Sequence, residues 1–393
     1  MQFAFTAEQE MIRDAAREFV AGHGTSARLR AVMETQAGYD TDAWHELGRE
    51  LGWVGLMLPE EAGGSGSGMV ELAILQEEMG RRLLATPFLA TAGMTVPIIL
   101  ECAGAAQTSR LLTGLAAGEM IAAAALTGDS GLPGEAAIAV DFTPSGRGGG
   151  RLNGHASFVV HGHVADVLLV AANTVQPEGG ISVLVVPRSA SGVHVTRLTT
   201  MDLTRPYARV EFHDVELSAE ALLGSMGKAD APLANGLRIA EIALAAEQLG
   251  GAAGVLEMTT EYVRQRVQFG RPIGSFQAVK HRLADMLVMV EAARSAVYYA
   301  ACTVDEYRAG AADAKALAEA AALVKSYCSD AFFNCASNAI QLHGGIGFTW
   351  DHDAQLYFKR ARASATLLGS STYHRRRIAE LIGLDAETIG GER

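Results

Sequence analysis

From roughly Met120 to Gly224 the sequence runs in short β-branched stretches: His155–Val160, Val167–Ala171, Ile181–Val186, Val193–Leu198 and Arg209–Leu217. Gly, Pro, Asn and Asp separate them at intervals of about 8–14 residues, the spacing of an antiparallel β domain. No helical pattern of about ten residues lies between them, which argues against parallel βαβ units. The chain on either side is helical in pattern. Thr6-Ala7-Glu8-Gln9 has the form of a capping box and leads into Met11, Ile12, Ala15, Ala16 and Phe19 at helical spacing. A further helix is predicted over Val70–Arg82, after the Gly-rich loop from Pro59 to Gly66. Helices are also predicted over Leu233–Val267, with an interruption at Gly250-Gly251, and over Phe276–Arg308, Ala311–Leu342 and Asp353–Leu368. Pro272 breaks the chain between the first two, because it disfavours helix at the residue before it. The expected architecture is α+β: an N-terminal helical domain over 1–118, a middle antiparallel β domain over 119–226 and a C-terminal helical bundle over 227–393.

Composition narrows the function classes. Lys and Arg number 32 against 44 Asp and Glu, a net charge of −12, whereas nucleic acids and anionic membranes call for a basic face. Apolar residues make up 49%, enough for a large core, yet no uninterrupted apolar run reaches the ~18 residues of a membrane span. The opening MQFAFTAEQE lacks the basic start and apolar run of a secretory signal. Four cysteines form no CxxC pair, and Cys328 and Cys335 read as small buried residues of a helix. These features predict a cytoplasmic protein.

The strongest motif is Arg266-Val267-Gln268-Phe269-Gly270-Arg271-Pro272-Ile273-Gly274-Ser275-Phe276-Gln277, followed by Ala284-Asp285-Met286. Further on stands Gln341-Leu342-His343-Gly344-Gly345-Ile346-Gly347-Phe348, and near the start Pro59-Glu60-Glu61-Ala62-Gly63-Gly64. Together, in this order and along essentially the whole chain, these segments resemble the acyl-CoA dehydrogenase family. The resemblance implies FAD as cofactor, an acyl-CoA substrate, an electron-transfer flavoprotein as acceptor and a homo- or hetero-tetramer. The family's arginine at Arg266 reaches the cofactor of a neighbouring subunit, and a guanidinium offers a planar fork of donors to a pyrophosphate. A cation at a helix C-terminus is favourable without any ligand. The cofactor contacts implied in the turn are Arg266, Gln268, Phe269, Phe276 and Gln277. Those implied in the later segments are Gln341, His343, Gly344, Gly345 and Ser370, where the glycines let backbone approach a ligand or simply cap a helix. The β block is expected to contribute Leu126 and Thr127, and then Phe158 and Val160 in place of the family's W-I-T-N segment. Phe158 supplies an aromatic wall, while Val160 lacks the hydroxyl that the usual Thr directs to the flavin.

Desaturation beside a thioester needs a base for the α-proton and donors on the carbonyl. The family's usual glutamate position, before a G-[ST]-S segment, is occupied here by Leu368, whose backbone N–H remains available. A second family position falls on Ala240. The neighbouring Glu241 lies within an apolar run, where a carboxylate is costly unless paired or functional, and is the candidate base. Glu241 as an ordinary paired helix residue, Glu247 as the base, and a base from a partner chain are the alternatives. Leu367-Leu368-Gly369 and His374-Arg375 resemble a bacterial subgroup that includes dehydrogenases of bulky sterol side-chain acyl-CoAs, some of them α₂β₂ assemblies. Arg375-Arg376-Arg377 reads as an exposed helix end, with CoA phosphates as the alternative. The leading expectation is an acyl-CoA dehydrogenase forming a trans-2-enoyl-CoA. A base-lacking partner subunit and another flavin reaction on the same fold are the competing ones.

Overall fold

The computed structural model describes residues 5–384 apart from 133, 146–147 and 176–178. Among the described residues, six α-helices precede the sheet: α1 (Ala7–His23), α2 (Ser26–Met33), α3 (Thr41–His45), α4 (Met69–Arg81), α5 (Val96–Cys102) and α6 (Ala105–Ala116). The strands are β1 (Ala122–Ala125), β2 (Val140–Pro144), β3 (Gly150–Val160), β4 (Val167–Thr174), β5 (Ile181–Pro187), β6 (Val193–Arg197), β7 (Tyr207–Leu217) and β8 (Leu222–Leu223). Then come α7 (Asp230–Gln265), the two-residue strands β9 (Val267–Gln268) and β10 (Arg271–Pro272), α8 (Gln277–Arg308), α9 (Ala314–His343), α10 (Ala354–Thr366) and α11 (Ser371–Leu381). The helical, β and helical order is the expected one.

Contacts gather the chain into two compact units. One combines Met1–Arg30, Met69–Leu84 and Glu241–Arg393, and the other combines Ala31–Gly68 and Ala85–Ala240. In the second unit the sheet runs β6-β7-β3-β2-β4-β5-β8, with β1 beside β4. Most pairings are antiparallel, and Phe142, Leu152, Leu168, Val186, Val210 and Phe212 fill its buried positions. Two pairings depart from expectation, since β1 and β2 each lie parallel to β4. β1 is four alanines, which carry little strand propensity. Its place is fixed by burial and by Thr91, whose hydroxyl donates to Ala122 O at 3.1 Å and accepts from Ala122 N at 3.2 Å.

In the first unit, the Thr6–Gln9 capping box opens α1 as its sequence predicts. The predicted interruption of α7 is absent, and the helix is continuous over 36 residues. Gly250 serves close packing instead. A Cβ there would collide with the Glu77 carbonyl of α4, so only glycine lets the two backbones meet at this crossing. α4 also carries Glu77, which accepts from Tyr298 at 2.8 Å and pairs with Arg294 at 3.1 Å. Two helices, Asp230–Gln265 and Gln277–Arg308, are long and apolar enough on average to cross a membrane. The apolar window of the first is 94% buried, which makes it a core helix, while the second leaves Leu287 and Val288 exposed.

Candidate active site

α7 ends in a tight reversal. β9 and β10 pair antiparallel around Phe269 and Gly270, which hold φ 54° and 75°. Two successive positive φ values make the turn twist with its strands, a geometry that glycine takes freely and phenylalanine only under constraint. Phe269 is 92% exposed, and its ring meets Phe276 edge-on at 6.1 Å. The Arg271 guanidinium lies 4.1 Å over the Phe276 ring. Arg266, Gln268 and Gln277 are exposed. Gln268 folds its amide back to Val267 O at 2.9 Å. The side chains of Arg266 and Gln277 have no hydrogen bond or ion pair among the described residues, so their donors remain unspent.

The other predicted segment closes α9. Gln341 is exposed, and Gly344 caps the helix at φ 64° with its N–H on Ile340 O. A Cβ at Gly345 would meet nothing, so this stretch is open backbone. His343 is turned inward, its ring between Tyr262 and His352 at 4.3 Å each and its Nδ1 2.8 Å from Ala339 O. Burial pushes its pKa below the usual histidine range. Ser370 caps α11, its hydroxyl accepting from Tyr373 N at 3.3 Å.

In the sheet unit, the β3–β7 register shifts between Ala156 and Val159, and a bulge of this kind re-aims side chains. Phe158 sits at this irregularity with φ 57° and is 44% exposed, an unusual state for an aromatic on a strand. Thr127 lies next to it in space, because Ser157 N donates to Thr127 O at 2.8 Å. Leu126 is half-buried on the same segment. Val160, opposite Tyr207, is buried.

Glu241 is buried on α7 and held by Arg377 of α11, whose Nη1 lies 3.1 Å from Oε1 and 3.3 Å from Oε2. A base here would have to accept its proton while gripped by a guanidinium. Glu247 is paired as well, with Arg360 of α10 at 3.0 Å. The basic cluster of α11 is likewise spent on the protein's own carboxylates, Arg375 on Asp330 and Arg376 on Glu380.

Beneath Glu241 lies a group that motif reading missed. Lys325 of α9 is wholly buried and donates from Nζ to Ser329 Oγ at 2.9 Å, Gly369 O at 3.0 Å and Ser364 O at 3.3 Å. Burial lowers its pKa to about 8, against the opposing pull of Glu241. His374, also fully buried, holds Leu368 O at 2.9 Å through Nε2. Burial, with Lys325 beside it, pushes the imidazole down to about 3. Leu368 and Gly369 both take positive φ, 56° and 99°. For a leucine this conformation costs of order 1–2 kcal/mol, which surrounding bonds must offset. The available signal for Lys325 was a lone charge amid Leu317, Ala321, Val324, Cys328 and Phe332, all buried on the same helix.

Residues 6–119 match the model of the acyl-CoA dehydrogenase N-terminal domain, and 233–383 that of the C-terminal domain. Acyl-CoA dehydrogenase IpdE2 of Mycobacterium tuberculosis is 37% identical over 92% of this chain and 93% of its own. Among solved structures, the ChsE4–ChsE5 complex from Mycobacterium tuberculosis is similar with TM-score 0.87 and 28% identity, over 98% of this chain and 100% of that one. The Tcur3481–Tcur3483 steroid ACAD is similar with TM-score 0.83 and 32% identity, over 95% of this chain and 97% of that one. With the helical–β–helical order and both domain models matched, the chain belongs to the acyl-CoA dehydrogenase family.

Proposed function

We propose that the chain is an FAD-dependent acyl-CoA dehydrogenase that converts an acyl-CoA thioester into its trans-2-enoyl-CoA and delivers the electrons to an electron-transfer flavoprotein. The observation that carries this reading is the exposed hairpin after α7. It presents a guanidinium and an amide with no partner among the described residues, beside exposed aromatic surface. That donor set fits a pyrophosphate with its nucleoside. The exposed Phe158 edge, forced to positive φ beside Thr127, fits the face of a tricyclic ring. FAD, when bound, supplies a hydride acceptor for the substrate β-carbon.

The chain's own work is binding, carbonyl polarisation and proton removal. Arg266 and Gln277 would hold the cofactor, of this subunit or a neighbouring one, through charge-assisted and amide hydrogen bonds. The Leu368 N–H would donate to the thioester oxygen, which acidifies the α-carbon. Glu241 is the proposed proton acceptor, released from or shared with Arg377 when substrate enters. Its ion pair favours a second reading, in which another chain supplies the carboxylate. The exposed Leu287 and Val288 of α8 offer apolar surface for assembly into a homo- or hetero-tetramer. Likeness to a steroid dehydrogenase makes polycyclic acyl-CoAs the first substrates to try.

Anaerobic titration of the yellow protein with butanoyl-, octanoyl-, palmitoyl- and steroid-carboxyl-CoA tests the proposal. Bleaching of the flavin with formation of enoyl-CoA is expected from at least one thioester. A protein that binds flavin but bleaches only beside a second chain would establish the partner-base reading.

A further inference from the structure

The turn that carries Leu368 is fastened by two buried side chains that no step above uses. Its carbonyls are drawn inward, Gly369 O to Lys325 Nζ at 3.0 Å and Leu368 O to His374 Nε2 at 2.9 Å. Lys325 also takes Ser364 O, in the last turn of α10, so one ammonium ties the helix end to the turn that follows. Its remaining donor goes to Ser329 Oγ, which Gln248 of α7 contacts at 3.1 Å. The Leu368 N–H is different. It finds no acceptor among the described residues, although Leu368 is only 7% exposed. Buried amides are rarely left without a partner, and those that are call for a ligand or another explanation. An apolar side chain in place of Lys325 would fill the space without the cost of burying a charge. What the lysine adds is direction, since an ammonium spent entirely on three oxygens fixes the backbone that carries two of them.

We infer that Lys325 and His374 are positioning residues for carbonyl polarisation: by pinning the Gly369 and Leu368 carbonyls they keep the Leu368 amide open to the thioester oxygen. The inference rests on the dehydrogenase reading, and it separates from simple packing because packing does not set the strength of a hydrogen bond to substrate. Gly369 belongs to the same device. A Cβ there would lie 2.6 Å from the Tyr373 ring and 2.9 Å from His374 Nε2, so the turn tolerates no side chain at its tip.

The test uses the flavin-loaded protein and the enoyl-CoA of whichever panel thioester bleaches it fastest, labelled with ¹³C at the thioester carbonyl. In the wild type, vibrational difference spectra should show the labelled carbonyl shifted to lower frequency on binding. Lys325→Met should lose most of that shift and slow flavin reduction by about 10²–10³-fold, the loss typical of one oxyanion donor, with flavin content retained. His374→Phe should do the same to a smaller degree, and it carries the test if the lysine variant does not fold. A full carbonyl shift in the folded variants overturns the positioning role and leaves the dehydrogenase reading intact. A wild type that neither bleaches with, nor polarises, any thioester of the panel overturns both.

Discussion

The hairpin after α7 and the turn after α10 belong to the same compact unit but treat their polar groups in opposite ways. At the hairpin, Arg266 and Gln277 are exposed with no side-chain partner among the described residues, and Phe269 is almost entirely in solvent. At the turn, Lys325 and His374 are fully buried and committed to named carbonyls. Solvent-facing groups without partners are inexpensive to keep and available to a ligand. Buried groups must be satisfied internally, so they serve by holding something else in place. The contrast separates residues that would touch a cofactor from residues that would shape the site, and mutagenesis can break it at each end.

The largest effect is expected at Glu241. If it is the base, Glu241→Gln slows anaerobic flavin reduction by about 10²–10⁴-fold, the contribution of a positioned general base. If it serves only the ion pair, the reductive step survives. The cost then appears in chemical denaturation, at about 2–3 kcal/mol. That is less than a fully buried pair would lose, because the Arg377 side chain is 20% exposed. At the hairpin, Arg266→Ala should weaken cofactor retention without slowing reduction in the fraction that keeps it. Each charge-assisted bond removed is worth about 1.5–3 kcal/mol, a tenfold to hundredfold loss of affinity measurable by flavin release on dilution. Full flavin occupancy after gel filtration would remove Arg266 from the cofactor site.

Per pH unit, a smaller effect separates the buried turn from the surface. His374 stays neutral in the fold down to about 3, while an unfolded histidine binds its proton near pH 6.5. Between these values the unfolded chain holds more protons, so stability from this group is present above pH 6.5 and is lost as pH falls toward 3. The unfolding free energy should therefore decline across that window by at most about 1.4 kcal/mol per pH unit. His374→Phe should flatten the decline, and an unchanged slope in that variant would place the acid sensitivity elsewhere.

What could be read in advance follows the same division. The hairpin was legible because its residues are consecutive and its Pro and Gly dictate the reversal. The long helices were legible from their helical pattern, and five of the strands from β-branched runs set between turn residues. β1 was not, since Ala122–Ala125 has no strand signal and owes its place to Thr91 and to pairing with β4. Nor was the continuity of α7 through Gly250, where the glycine serves a helix crossing and not a break. The Lys325 clamp joins groups 39 and 44 positions apart, and the Glu241–Arg377 pair spans 136. No local pattern records such partners. A sequence can flag Glu241 and Lys325 as charges in apolar runs, but only the packing shows what each one holds.

Dehydrogenation by this chain is tested most sharply by the absorbance spectrum of the purified protein under anaerobic titration with the acyl-CoA panel, followed by chromatography of the released cofactor. FAD and stoichiometric bleaching by at least one thioester are expected, with the matching enoyl-CoA as product. A protein that releases FMN, or whose flavin stays oxidised with every thioester both alone and beside a carboxylate-bearing partner chain, would contradict the dehydrogenase reading.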